Sequence, residues 1–294
     1  MSPSRYRDVV ATLPFHWHAL IVVAIVGGIA SVVRLSRTRR QRAQGAAAVV
    51  AFAAVTLWPV GDVAASVSLS VATLQRLVLM LLVAPLLMLA APTSTWVAVT
   101  RPAIVDAVAR RLARPAPAMA LVTVVGTVTL SVPIVNWGAQ SLWARDVIVI
   151  GVVVLGVVLW LPALGLVPGV RRLSEVARAA YVFVSALVVT SLSLVWIFAR
   201  HPLYRSLHFQ HHFVHLSALT DQQVAGFVAK LGAYLPMWAV AFVIFSRAEH
   251  RGVELETSPL HWADVERELL RAERQRRRTT RTARAPRSRG GATW

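Results

Sequence analysis

The sequence predicts an all-α membrane protein, a seven-transmembrane-helix bundle whose N-terminus lies outside and whose C-terminus is cytoplasmic. Three observations predict it. The 294 residues are 56% hydrophobic and only 15% charged, with a mean hydropathy of +0.61, whereas about a quarter of the residues in soluble domains are charged. Seven apolar runs approach the roughly 20 residues that a spanning helix needs. Arginines gather in alternate loops between these runs.

Each of the seven apolar runs is bounded by polar or charged residues. The second is the weakest, because Pro59, Gly61 and Asp62 end it early, and a short or re-entrant segment is the alternative there. The predicted spans are 15–33, 44–60, 70–91, 117–137, 146–167, 177–199 and 223–246.

The orientation follows from the arginines, since cytoplasmic loops carry an excess of basic residues. Basic clusters follow the first, third, fifth and seventh spans, at 34–42, 101–114, 171–178 and in the tail. The intervening loops hold fewer basic residues, together with acids or histidines. Seven spans therefore place the N-terminus outside and the tail in the cytoplasm.

The chain divides accordingly. An external segment, 1–14, precedes the transmembrane domain, 15–246, which includes an outer histidine-rich loop at 200–222. Residues 95–114 contain large apolar side chains among arginines, which predicts an amphipathic helix on the inner surface, with a plain connecting helix as the alternative.

The C-terminal region predicts a cytoplasmic charged helix at 247–278 and a disordered Arg-rich tail at 279–294. Eight arginines and no acid follow from Arg274 onward. In a membrane protein, we expect this charge to attract anionic lipid at the cytoplasmic face, and we expect no specific nucleic-acid partner.

Several kinds of chemistry are excluded by what the sequence lacks. Without cysteine there is no disulfide, thiolate metal site or thiol nucleophile. No histidine lies between 19 and 200, which argues against a haem held by paired histidines within the bundle. A retinal Schiff base on Lys230 would lack a carboxylate counter-ion. Hydrolase and nucleotide-binding motifs are also missing, so we expect the protein not to be an enzyme.

One cluster of histidines has the spacing of a metal site. Separations of three, four and seven residues would place the four rings on one helical face, and neutral imidazole suits copper or zinc. The alternative is an interfacial helix whose aromatic and imidazole rings lie at headgroup level. The four candidate ligands are His208, His211, His212 and His215.

Two cations lie inside predicted spans. Because a charged side chain inside a bilayer costs free energy, each is expected to have a partner or a function. Arg76 and Lys230 each lie six or seven residues from the outer end of a span, about 10 Å deep at 1.5 Å per residue. At the same depth, the two like charges need an anion, carbonyls or water between them, and Asp62, Asp146 and Asp221 are the candidate outer partners. The alternative is that each side chain extends to the outer surface.

The segment Asp221, Gln222, Gln223, Val224, Ala225, Gly226 resembles the D-Q-Q-x-A-G signature of CtaG-type cytochrome c oxidase assembly factors. Other matches cover roughly 15–246. Trp58 and Pro59 resemble the W-P that closes that family's second span, Gln75 to Pro92 resembles its third, Trp160 and Pro162 its W-x-P, and Pro202 to Tyr204 its P-x-Y.

This resemblance implies a multi-pass protein of the bacterial plasma membrane that helps to assemble a haem–copper cytochrome c oxidase of the respiratory chain. Its partners would be oxidase subunits, and copper at the outer face would be its only cofactor. A copper or small-solute permease is the alternative, but the inner halves of the spans offer few polar groups.

Within the signature, Asp221 is expected to cap its own helix, Gln222 and Gln223 to bridge to neighbours, and Gly226 to permit close helix approach.

The chain also departs from the family pattern. Ala72 and Arg76 stand where two histidines are expected, Ala229 and Lys230 where Met and Trp are, and Ile148 and Val149 where an acid and a histidine are. Either the outer histidines handle the metal, or the protein keeps its scaffold and partner without binding copper.

Overall fold

The computed structural model describes residues 16, 18–66, 68–204 and 217–257, and every regular element within these ranges is helical. This confirms the all-α prediction for the described part of the chain. The elements are α1 (Ala19–Leu35), α2 (Arg39–Thr56), α3 (Val60–Ser66), α4 (Leu69–Ala90), α5 (Thr93–Val99), α6 (Ala103–Leu112), α7 (Pro115–Thr129), α8 (Val132–Gln140), α9 (Leu142–Leu164), α10 (Glu175–Ile197) and α11 (Ala218–Thr257).

Four helices are long and apolar enough to cross a membrane by length and composition: α4, α9, α10 and the part of α11 from Ala218 to His250. A fifth span is obtained if α6 and α7, which meet at 93°, count as one bent segment. The apolar helix α1, with 17 residues, is shorter. The protein is therefore a multi-pass helical membrane protein, while the count of seven and the orientation of the termini remain predictions.

Local sequence signals explain where several helices begin and end. Ser141 caps α9 by accepting a hydrogen bond from the Ala144 N–H at 3.4 Å, and the helix ends at Gly165, whose φ of 57° suits glycine. Thr38 and Gln41 form a reciprocal capping box at the start of α2. Ordinary capping thus fixes the ends of these helices.

The core is built around α9, in which about half of the side chains are buried. On one side α9 packs with α1, α2 and α4 through residues such as Ile21, Phe52 and Leu79. On the other side Leu159 and its neighbours pack with α7, α10 and α11. Helices α4 and α9 therefore connect the two halves of the core.

Several predicted spans contain irregular backbone, and α10 is one of them, since it is interrupted between Val189 and Leu192. In α4, residues Leu79–Val83 form a π-turn, next to Pro85, which cannot donate to the helical ladder. The predicted span 117–137 is not one helix, because α7 ends at Thr129 and α8 begins at Val132, with Pro133 in its first turn. Interrupted helices therefore occur at membrane depth.

The region 95–114 also differs from one continuous amphipathic helix. It forms α5 and α6, which are separated at Thr100–Pro102. Pro102 lacks an N–H and directly precedes α6, consistent with the preference of proline for helix starts.

Large apolar side chains such as Val33, at 70% exposure, and Phe242, at 71%, lie on the outside of the bundle. Such a surface is typical of a lipid-facing one.

Contacts divide the chain into two compact units, Met1–Ser246 and Arg247–Trp294. The described part of the second unit, up to Thr257, is helical. The remainder of the predicted charged helix and the Arg-rich tail lie outside the described residues.

Candidate functional site

Two histidines and two aspartates meet at one end of the bundle, at the start of α1, in α3 and at the start of α9. His18 Nδ1 lies 2.7 Å from Asp146 Oδ1, and His16 Nδ1 lies 3.2 Å from Asp62 Oδ1. Arg145 donates to the same Asp62 oxygen at 2.9 Å. These five residues form what we call the His–Asp cluster, which links three segments that are far apart in the sequence.

The His–Asp cluster is buried and nearly balanced in charge. The side chains of His18, Asp62 and Asp146 are 5% exposed or less. Two carboxylates against one guanidinium leave one negative charge, which a protonated histidine would neutralise. His18 Nε2 lies 3.9 Å from Asp62 Oδ1 and has no hydrogen-bond partner among the described residues. Charged groups at this depth are stable only as a connected set.

The described residues contain no group of three or more histidine and acidic side chains arranged to hold a metal ion. In the His–Asp cluster the positively charged Arg145 guanidinium already pairs with Asp62 and disfavours a second cation beside it. The cluster is therefore an ion-pair and hydrogen-bond network that ties the start of α1 to α3 and α9.

Asp221, the first residue of the signature, hydrogen-bonds to the start of a neighbouring helix. Its carboxylate accepts hydrogen bonds from the Leu69 N–H at 2.6 Å and from the Ser68 and Ser70 hydroxyls at 2.9 and 2.7 Å. A carboxylate at a helix N-terminus satisfies free N–H groups and complements the helix dipole. Asp221 thus links α11 to α4, and its place in the first turn of α11 also complements the dipole of its own helix.

The two glutamines of the signature hold the chain that leads out of α10. Gln222, which is 2% exposed, accepts a hydrogen bond from the Leu203 N–H at 2.7 Å, and Gln223 donates to the Ala199 carbonyl at 3.2 Å. Tyr204 donates to the Leu130 carbonyl at 2.6 Å, and burial raises the pKa of Tyr204, which keeps its hydroxyl a neutral donor. The signature therefore positions the segment from Ala199 to Tyr204.

Gly226 lies where α11 approaches the end of α10 most closely. A Cβ at this position would lie 2.7 Å from Ile197 Cγ1 and 2.9 Å from the Ser193 carbonyl oxygen. Real Cβ atoms do not approach other atoms this closely, so only glycine fits without a shift of one of the two helices.

The tryptophan motifs have different surroundings. Trp160 is buried and donates from Nε1 to the Met80 carbonyl at 3.0 Å, within the π-turn of α4. Trp58 is 39% exposed, and the Trp58–Pro59 peptide bond is cis, just before α3. Of these motif residues, Trp160 is the one that compensates irregular backbone.

The two intramembrane cations have separate partners. Arg76 donates to Thr129 Oγ1 at 3.0 Å and to the Thr129 carbonyl at 3.1 Å. The Lys230 ammonium lies 4.4 Å from the centre of the Tyr234 ring, a cation–π contact. The three aspartates considered as their partners take part in the His–Asp cluster or, for Asp221, in the cap of α4.

The histidine cluster predicted from its spacing, His208, His211, His212 and His215, lies outside the described residues. His16 and His18 were not predicted as site residues, although both lie at the start of the first predicted span and two lone acids, Asp62 and Asp146, stand at the matching ends of other spans. That coincidence of polar residues at one end of the bundle was the available signal.

Comparison with known proteins is consistent with this architecture. The sequence profile of the cytochrome c oxidase caa3 assembly factors (Caa3_CtaG) matches residues 29–250. No curated protein and no solved structure matches the chain. The matched range contains α2 to α10, the C-terminal part of α1 and most of the described part of α11, together with the D-Q-Q-x-A-G segment and both tryptophan motifs. The chain therefore belongs to the family of cytochrome c oxidase caa3 assembly factors.

Proposed function

We propose that this protein assists the assembly of a haem–copper cytochrome c oxidase in a bacterial plasma membrane, through contacts with oxidase subunits and without catalysing a reaction. The proposal rests on the hydrogen bonds that the residues of the family signature make to other parts of the bundle. Asp221 joins α11 to α4, and Gln222 and Gln223 hold the segment from Ala199 to Tyr204. The signature thereby supports the bundle end that carries the histidine-rich loop.

In this proposal, copper is handled at the outer face by His208, His211, His212 and His215. Their spacing and the affinity of imidazole for copper support it. Arg145 makes the His–Asp cluster a poor cation site, which leaves the loop histidines as the better candidates. We assign the Arg-rich tail to anionic lipid at the cytoplasmic face, because its charge and lack of acids suit that surface.

Deletion of the gene tests the assembly role. We expect assembled oxidase, measured from the haem absorbance of membranes, to fall while total cell copper stays unchanged, and we expect oxidase subunits to co-purify with the full-length chain. A fall in cell copper with normal oxidase would contradict assembly and indicate transport.

The copper step has its own test. We expect purified protein loaded with Cu(I) to hold copper that is lost when the four loop histidines are replaced by alanine together. The double variant His16→Ala, His250→Ala, which changes two exposed histidines outside the loop, is the control and should retain the copper. Equal copper in the wild type and the fourfold variant would refute copper binding by the loop while leaving the assembly role to the deletion experiment.

A further inference from the structure

A cavity of about 100 Å³ lies in the core between α4, α7, α9, α10 and α11. Its wall is mostly apolar, with Leu155, Leu159 and Met237 among the residues that form it. Several threonine and serine hydroxyls interrupt this wall, and one guanidinium, that of Arg76, reaches it. The cavity is large enough for more than one water molecule.

Three irregular stretches of helix meet at this cavity. Met80 and Leu81, from the π-turn of α4, form part of its wall, as do Thr129 and Leu130 at the end of α7. Thr190 lies where α10 is interrupted between Val189 and Leu192, and it also borders the cavity. At membrane depth, irregular backbone is tolerated only where it is buried or borders a polar cavity. In transporters such breaks mark ligand sites.

Arg76 is the only charged residue among the described residues that line the cavity. Its two hydrogen bonds go to the Thr129 hydroxyl and carbonyl, at the C-terminus of α7. The helix dipole there provides only a partial negative charge. A full positive charge therefore faces an apolar space without a carboxylate from the described lining, and the guanidinium has further N–H donors available.

The size and chemistry of the space select a class of ligand. A single guanidinium neutralises one negative charge, so a dianion such as phosphate would leave an unpaired charge in an apolar wall. The planar guanidinium matches the two oxygens of a carboxylate. Thr123 Oγ1 is buried beside the cavity and has no hydrogen-bond partner among the described residues, so its hydroxyl is a further donor available to a polar ligand.

We propose that this cavity binds a carboxylate with a small apolar body, whose oxygens lie at Arg76 and whose hydrocarbon lies against the walls from α9 and α11. The carboxylate has two possible sources, a free short-chain acid or the head of a membrane fatty acid whose chain extends outward. This ligand site goes beyond the assembly role and does not depend on it.

The probes are ¹³C-carboxyl butyrate and ¹³C-carboxyl palmitate, titrated into the full-length protein in lipid nanodiscs and followed by carboxyl NMR. Arg76→Gln removes the charge and keeps a polar side chain, and we expect it to weaken binding by about tenfold to a hundredfold. Lys230→Gln is the matched control, because it removes an intramembrane cation that does not line the cavity, and its affinity should match the wild type.

A second variant protects the test against misfolding of Arg76→Gln. Ala229→Leu fills the cavity from α11 without changing Arg76 or Thr129, and we expect it to abolish binding while the protein remains folded. Saturable binding of butyrate with this pattern of variants supports a free acid. Binding of palmitate alone, with the same dependence on Arg76 and Ala229, supports the lipid source.

Three results would overturn the proposal. They are no saturable binding of either acid, equal affinities in Arg76→Gln and Lys230→Gln, and complete displacement of either acid by chloride at a similar concentration. Displacement by chloride would show that the site binds any small anion and does not recognise a carboxylate or an apolar body.

Discussion

The Asp221 carboxylate accepts a hydrogen bond from the backbone N–H of Leu69 at 2.6 Å, across 152 positions of the chain. It also holds the hydroxyls of Ser68 and Ser70. The first residue of the family signature therefore supports the start of α4, the helix that contains Arg76 and the π-turn, beside its N-cap residue Ser68. A contact between the first turns of α4 and α11 orients both helices at the same end of the bundle.

We expect Asp221→Asn to lower the free energy of unfolding by about 1 to 3 kcal/mol, because the amide loses the charge-assisted hydrogen bonds and turns an NH₂ group toward donors. Thermal unfolding in nanodiscs measures the change. Asp106→Asn is the control, since Asp106 pairs with Arg110 on a more exposed surface and should cost less than about 1 kcal/mol. Equal losses in the two variants would contradict the capping role.

Gly226→Ala should destabilise the protein although alanine favours helices, because the new methyl group would overlap Ile197 and the Ser193 carbonyl. We expect a loss of about 1 to 3 kcal/mol, typical of overpacking. Gly151→Ala, in α9, meets nothing within 4 Å and should be neutral or stabilising by up to about 1 kcal/mol. A Gly226 variant as stable as the Gly151 variant would contradict the close approach of α10 and α11.

Trp160→Phe should leave the Met80 carbonyl of the π-turn without its indole donor. We expect a loss of about 1 to 3 kcal/mol in unfolding free energy, because the acceptor stays buried. Trp143→Phe is matched in chemistry, but Trp143 is 62% exposed, so its effect should be within about 0.5 kcal/mol. Similar melting temperatures for the two variants would show that the indole bond does not support the π-turn.

We expect a large interaction energy between His18 and Asp146 in the free energy of unfolding. His18→Ala removes a buried partner of a carboxylate that is 5% exposed, and we expect a loss of about 3 kcal/mol or more. His16→Ala should cost less, since the His16 side chain is 39% exposed. A double-mutant cycle over His18 and Asp146 measures the coupling directly, and an interaction energy near zero would contradict the His–Asp cluster.

The sequence predicted the helices better than their junctions. Runs of apolar residues and the Ser141 cap mark α9, so that its range, Leu142–Leu164, lies close to the predicted 146–167. Pro85 and Pro133 were visible in the sequence, but a proline in a membrane helix can kink it, widen it or end it, and only packing decides. The π-turn and the break at Thr129 therefore had to come from the structure.

The candidate site shows the same limit. The spacing of His208 to His215 stands out because local periodicity is visible in a single sequence. His18 and Asp146 are 128 positions apart, and nothing local indicates that they touch. The sequence likewise placed Asp221 at a helix start, where capping its own helix was the natural expectation, but it gave no sign that the N-terminus of α4 lies beside it.

The measurement that tests the central claim most directly is the amount of assembled oxidase in a strain that lacks this gene and carries one of three versions of it. The account predicts full recovery of the oxidase haem absorbance with the wild type and with Asp106→Asn, and a clear deficit with Asp221→Asn at equal protein abundance. Full recovery without any copy of the gene, or equal recovery with Asp221→Asn, would contradict the claim that this bundle and its signature support oxidase assembly.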